Sequence, residues 1–201
     1  MPLIVAATGN LHKLSEYREM LADQKVEIAS LRDYPDFRPS PEDGKTFKEN
    51  AAKKALEACI YTDLPAFADD SGLEIAALGG APGILSSRYG KDDADRIARV
   101  LRELEGKSDR NARFVCVIAI AVNGEVIETF EGEMRGVILD APRGANGFGY
   151  DPIFVPDGMD KTFAELTQEE KNRISHRAAA CRKAVEFVEN EMAILDDDFG
   201  A

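Results

Sequence analysis

The segment Arg113 to Val122, followed by Asn123-Gly124 and then Glu125 to Glu133, constrains this chain more than any other stretch. Its first part is apolar enough to lie in the middle of a sheet. Asn-Gly is the preferred two-residue hairpin loop because both positions tolerate positive φ. The return segment alternates at Val126, Ile127 and Phe130, so an antiparallel hairpin is expected. Leu3 to Ala7 is a second strand-length run, and Leu14, Tyr17, Met20 and Leu21 behind it follow helical spacing from about Leu11. A strand-loop-helix opening implies parallel pairing, which the hairpin does not, so the sheet is expected to be mixed.

Shorter strands are expected at Val26 to Ser30, Leu73 to Ile75, Arg135 to Leu139 and Ile153 to Val155. Thr46 and Glu49 match a capping box at the head of a helix reaching about Tyr61, and Thr167 with Glu170 match another. Asp92-Asp93 open an amphipathic helix to about Leu104, to which only a structural role is given. Ser175 is the expected N-cap of the last helix, which ends in an acidic tail from about residue 193. No repeat or long linker divides the 201 residues, so a single domain over 1–201 is expected.

With a formal net charge of -12, the chain lacks the basic surface that general nucleic-acid or anionic-membrane binding requires. Cys59, Cys116 and Cys181 are far apart and odd in number, which suits reduced thiols in a core. There is no signal-peptide pattern at the start, and the longest apolar run, Phe114 to Val122, is too short to span a bilayer as a helix. A cytoplasmic location is expected.

Several loops carry chemistry. Thr8-Gly9-Asn10-Leu11-His12-Lys13 turns from strand to helix, with Asn10 as N-cap and Lys13 in the first turn. Helix N-termini attract phosphate, and a first-turn lysine opposes the helix dipole unless an anion is present. The pattern equally fits an ordinary βα corner. An apolar run through Phe67-Ala68 leads into Asp69-Asp70-Ser71-Gly72, read as a strand ending at a site opening or as a solvated turn. Oxygen ligands of this kind suit a hard cation such as Mg²⁺. Lys54 and Arg88 fit either phosphate contacts or surface charges, and His176-Arg177 either a ligand-facing or a surface pair. In Gly147-Phe148-Gly149-Tyr150-Asp151 the aromatics either stack on a nucleobase or fill the core. Taken together, Lys13, Lys54, Arg88, Lys171, His176 and Arg177 would form a basic cleft, Asp69, Asp70 and Glu42 would hold Mg²⁺, and Phe148 or Tyr150 would give a stacking face. Metal, phosphate and base describe a nucleotide site.

Six motifs in order resemble the inosine triphosphate pyrophosphatase family, which acts on non-standard purine nucleoside triphosphates. They are Thr8-Gly9-Asn10-x-x-Lys13, Thr46-Phe47-x-Glu49-Asn50-Ala51-x-x-Lys54-Ala55, Ala68-Asp69-Asp70-Ser71-Gly72-Leu73, Gly80-Ala81-Pro82-Gly83, Phe148-Gly149-Tyr150-Asp151-Pro152-x-Phe154 and Glu169-Glu170-Lys171-Asn172-x-x-Ser175-His176-Arg177. The chain departs from the family at Leu11-His12, where many members have a glycine before the lysine, at Ser87 and at Ala145-Asn146.

The resemblance implies an α/β fold with a long twisted mixed β-sheet flanked by helices, two lobes around a central cleft, and a homodimer. It implies Mg²⁺-dependent hydrolysis of ITP, dITP and XTP to the monophosphate and pyrophosphate. Carried over by position, Thr8 to Lys13 and Lys54 face phosphate, and Asp70 is proton acceptor and metal ligand. Glu42 is a second metal-site acid and Asp69 a supporting one. Ser71 touches substrate, Phe148 to Asp151 with Lys171 line the pocket, and His176 with Arg177 read the base. Two rival readings are a pyrophosphatase for modified pyrimidine or methylated nucleotides, and a non-catalytic nucleotide-binding module.

Overall fold

A computed structural model of the protein describes residues 3–24 and 26–199, with side chains as far as residue 190. In chain order the main elements are β1 (Leu3–Ala6), α1 (Leu11–Met20), β2 (Glu27–Ser30), α2 (Phe47–Thr62), β3 (Ala66–Ile75) and α3 (Asp93–Glu103). They continue with β4 (Asn111–Val122), β5 (Glu125–Ile138), β6 (Phe154–Pro156), α4 (Gln168–Ile174) and α5 (His176–Phe199). The strands form one sheet in the order β2-β1-β3-β4-β5-β6. β1 pairs parallel with β2 and β3, and the remaining pairs are antiparallel. The expected mixed sheet is the one found. Asn123 and Gly124 turn the hairpin at φ 51° and 75°, the double positive φ that suits the right-handed twist of its strands.

Two strands are longer than the sequence suggested. β5 runs on to Ile138 because β4 pairs with it as far as Val137 and β6 takes its last residues, so Arg135 to Leu139 is not a strand of its own. β3 passes through Asp69-Asp70-Ser71-Gly72 without turning, with Asp69 opposite Ile118 and Asp70 opposite Val117. The two carboxylates therefore sit in mid-strand rather than at a strand end, and alternation sends them to opposite faces.

Those faces belong to different cores. Phe67 packs with Leu14, Tyr17, Ala180 and Cys181 beneath α1 and α5. Ala66 and Ala68 pack with Ala51, Ala55 and Cys59 of α2. Past Gly72, Leu73 and Ile75 join a third cluster with Val100 and Leu104 of α3 and Phe163. The polar break in β3 is thus the seam between the cores, where a cleft can open without exposing apolar surface. The three cysteines are free and buried.

Helix starts follow local chemistry. Thr46 accepts the N–H of Glu49, but the Glu49 carboxylate takes the N–H of Lys45, so only half of the expected capping box forms. At Thr167 and Glu170 both halves form. The Ser175 hydroxyl accepts the N–H of Ala178, as an N-cap should. The expected acidic tail falls on the last turns of α5, where side chains lie outside the described residues.

α5 lies close on β5. A Cβ at Gly132 would overlap the carbonyl of His176 and the amide of Ala180. Gly132→Ala is expected to lift the first turn of α5, at about 1–3 kcal/mol of overpacking. A thermal melt should show Tm lowered by about 3–10 °C.

Candidate active site

A cleft of about 390 Å³ opens over this seam. At one end stand Thr8, Gly9, Asn10 and Lys13. The loop orders itself: Asn10 Oδ1 accepts the N–H groups of His12 (2.9 Å) and Lys13 (3.4 Å), and Thr8 Oγ1 accepts that of Asn10. Asn50 and Lys54 lie one turn apart on α2, on the same face. Asn50 Nδ2 donates to Asp70 Oδ2 at 3.0 Å, while the Lys54 ammonium lies 2.7 Å from Glu42 Oε1 and 3.4 Å from Asp70 Oδ1.

The adjacent carboxylates behave differently because their surroundings do. Burial raises the Asp70 pKa above the usual carboxylate range, against the pull of Lys54 and the Asn50 hydrogen bond, with Glu42 adding to the rise. Burial alone would raise Asp69 too, but Lys13 and Arg177 overcome it and hold Asp69 well below that range. Its Oδ2 meets Lys13 Nζ at 2.8 Å and accepts from Ser71 Oγ at 3.1 Å, and the side chain is 0% exposed. Asp69, expected as a supporting metal-site acid, is thus buried and paired with Lys13 and Arg177. Among the described residues no three His, Cys, Asp or Glu side chains converge as a metal cluster. Glu42 and Asp70 face the cleft, and their oxygens meet on the Lys54 ammonium. A pair of carboxylates fits Mg²⁺, which commonly takes one or two protein carboxylates and completes its shell with substrate phosphate and water.

At the other end Lys171 is buried, with its ammonium 2.6 Å from Asp151 Oδ2 and 3.0 Å from Glu16 Oε1. Arg177, 2% exposed, is paired with Glu16 and donates to Ser71 Oγ at 3.0 Å. The His176 ring stacks on Phe114 at 4.7 Å. Burial first, then the Arg177 and Lys171 charges, push the His176 pKa well below its ordinary value, so the ring is neutral. The Phe148 amide donates to Asp151 Oδ2, and the Tyr150 hydroxyl donates to Ser86 O, which pins the glycine-rich loop to the wall.

Most residues singled out from sequence line this cleft together: Thr8 to Asn10, Lys13, Glu42, Lys54, Asp70, Ser71, Phe148 to Asp151, Lys171, His176 and Arg177. Four do not. Leu11 is exposed on α1, and Asp69 lies behind the floor. His12 is exposed and stacks on Phe148. Arg88 donates to the carbonyl of Glu42, so it ties the Glu42 loop to the wall instead of entering the cleft.

Four contributors were missed. Glu16, 3% exposed, joins Lys171 to Arg177. Its signal was an acid on the apolar face of α1, one position before Tyr17. Asn50 stood inside a quoted motif without a role. Arg96 lines the cleft from α3, and Asp93 of the same helix accepts the Gly149 N–H at 2.7 Å. The purely structural role expected for that helix is therefore incomplete.

The fold and cleft define a class: a mixed-sheet α/β protein of acidic composition whose cleft holds fixed cations, a carboxylate of raised pKa and an aromatic rim. The chain belongs to the Ham1 family, whose model matches residues 4–187. A protein of Desulfotalea psychrophila named dITP/XTP pyrophosphatase is 51% identical over 183 residues, covering 90% of this chain and 82% of that one. The solved structure of a HAM1 protein from Coxiella burnetii superposes with a TM-score of 0.86 at 44% identity, covering 94% of this chain and 100% of the other. The Ham1 protein of Staphylococcus aureus gives 0.84 at 40% identity, covering 94% and 99%.

Proposed function

We propose that this chain hydrolyses non-standard purine nucleoside triphosphates, namely dITP, XTP and ITP, to the monophosphate and pyrophosphate, and so clears them from the nucleotide pool. The observation that carries the reading is the opposed pair on β3. Asp70 keeps its proton-accepting range above that of an ordinary carboxylate, beside a fixed lysine, while Asp69 stays charged to hold Lys13 and Arg177. The names of the relatives point the same way.

Cleavage between the α and β phosphates needs an in-line water. Asp70 would orient that water and take its proton, a role for which a raised pKa is suited. Lys13 and Lys54 would stabilise charge on the leaving pyrophosphate from positions already fixed by ion pairs, so little reorganisation is needed. Glu42 and Asp70 would hold Mg²⁺, which when bound supplies neutralising charge to the phosphate oxygens.

At the other end the base would meet the first turn of α5. The leading N–H groups of a helix lack intrahelical acceptors, and Ser175 satisfies that of Ala178. The His176 and Arg177 amides remain as donors for a 6-oxo purine. An adenine amino group would face donors there, leaving them unpaired, an arrangement that can discriminate by large factors. A homodimer and a cytoplasmic location belong to the same reading. Among the described residues no helix is long and apolar enough to cross a membrane.

A panel of ITP, dITP, XTP, ATP, GTP and dCTP, with pyrophosphate detection and with Mg²⁺ added or chelated, tests the proposal. The first three should turn over at least tenfold faster than the rest, and chelation should stop them. Equal turnover of ATP would end the specificity reading, and inorganic phosphate as the product would end the pyrophosphatase reading.

A further inference from the structure

Three groups crowd the ring of Phe148. The Lys171 ammonium lies over it at 4.7 Å from the centroid, and the Arg177 guanidinium is at 5.8 Å. The exposed His12 imidazole stacks on the same ring at 5.2 Å with the planes 19° apart. A base slipped between Phe148 and any of these neighbours needs about 7 Å, twice the carbon contact distance of roughly 3.5 Å. None of the gaps admits one.

Lys171 is not free to yield, since Asp151 and Glu16 hold its ammonium in a buried site. Phe148 is better placed to move. It sits between Gly147 and Gly149, at φ 72° and 63°, and its segment is anchored by the Phe148 amide on Asp151 and the Gly149 amide on Asp93. Any movement of the ring must break the His12 stack or carry His12 with it. The His12 side chain makes no hydrogen bond among the described residues, so the ring-on-ring contact is its main engagement.

We propose that His12 is a positioning residue that latches Phe148 over the base end of the cleft, so that a purine reaches the Phe148 face only by breaking the His12 stack. The proposal rests on the nucleotide reading given above. It also gives a use to a side chain that lies outside the cleft although it belongs to the loop after β1. The latch couples the two ends, because the residue that caps the aromatic ring is one step from Lys13. Entry of the base and seating of the phosphates are then linked through one turn of α1.

The test compares His12→Ala with His12→Phe, which keeps an aromatic face. Without nucleotide, amide hydrogen exchange at Phe148 and Gly149 should accelerate in His12→Ala by roughly two- to tenfold, the factor expected for loss of one aromatic pair. Exchange should return toward the wild-type rate in His12→Phe. KM for ITP should fall by a similar factor in His12→Ala, with a smaller change in kcat, and recover in His12→Phe. Unchanged exchange in His12→Ala would overturn the latch, and so would faster exchange with KM unchanged or raised. Should the wild-type chain fail to hydrolyse ITP, the functional reading falls instead. The exchange comparison, made without nucleotide, still decides the latch.

Discussion

Asp70→Asn is expected to lower kcat for ITP by about 10²–10⁴, the range for loss of a positioned proton acceptor, while ITP binding measured by calorimetry changes only a few-fold. Burial raises the Asp70 pKa, and Mg²⁺ held by the same carboxylate would lower it, so the acid limb of wild-type kcat/KM should move to lower pH as Mg²⁺ is added. That limb should vanish in the variant. Stability should move the other way from activity. A carboxyl with a raised folded pKa adds stability below its unfolded pKa, and this is lost as pH rises through the folded value. At neutral pH the ionised Asp70 therefore weakens the fold, and the asparagine variant should melt no lower than wild type. A variant that is dead and also melts far lower would make Asp70 a structural residue. A variant that remains active would remove it from the chemistry.

Arg177→Met carries the largest expected loss of stability. Arg177, Glu16 and Asp69 have side-chain exposures of 2%, 4% and 0%. Removing the guanidinium leaves Glu16 with Lys171 alone and Asp69 with Lys13 alone, so the cost should approach the lower end of the roughly 3–5 kcal/mol for a broken buried pair, or a fall in Tm of roughly 6–12 °C. Both acids have lowered folded pKa values: burial opposes the shift, and Arg177 helps to overcome it in each. Their contribution is present above the unfolded carboxylate values and disappears as pH falls through the folded ones. The gap between wild type and variant should therefore be widest near pH 7 and close in acid. Arg135→Met, which breaks a pair whose arginine is 70% exposed, should cost less than about 1 kcal/mol. Thermal melts at both pH values check the pair of substitutions. A loss independent of pH would assign the effect to packing.

Much of the sheet was legible because short-range chemistry encodes it. Asn123-Gly124 allows little but a tight hairpin, and the apolar run before it has the length of a central strand. Asn10, Thr167 and Ser175 act through neighbours two to four positions away, so their caps were readable too. Asp69-Asp70 was not, for a physical reason: two carboxylates inside a strand are tolerated only when distant cations meet them, and Lys13, Lys54 and Arg177 come from three separate helices. Glu16 was hidden in the same way, since a buried acid on α1 makes sense only once Lys171 and Arg177 are placed beside it. The division of labour between Asp69 and Asp70 rests on strand alternation, which a turn assignment conceals. Arg88 looked like a ligand contact because charge and position were visible, but the backbone carbonyl that engages it was not.

The floor of the cleft is carried by β3, with Phe114 of β4 beside it, and β3 is paired with β4 along its whole length. A continuous hydrogen-bonded plank of this kind resists bending, so breathing of the cavity falls to its rims: the proline-bearing segment before α2 and the glycine-rich segment before β6. Asp70 is thereby fixed by the plank, while Glu42 and Phe148 ride on the parts that can move.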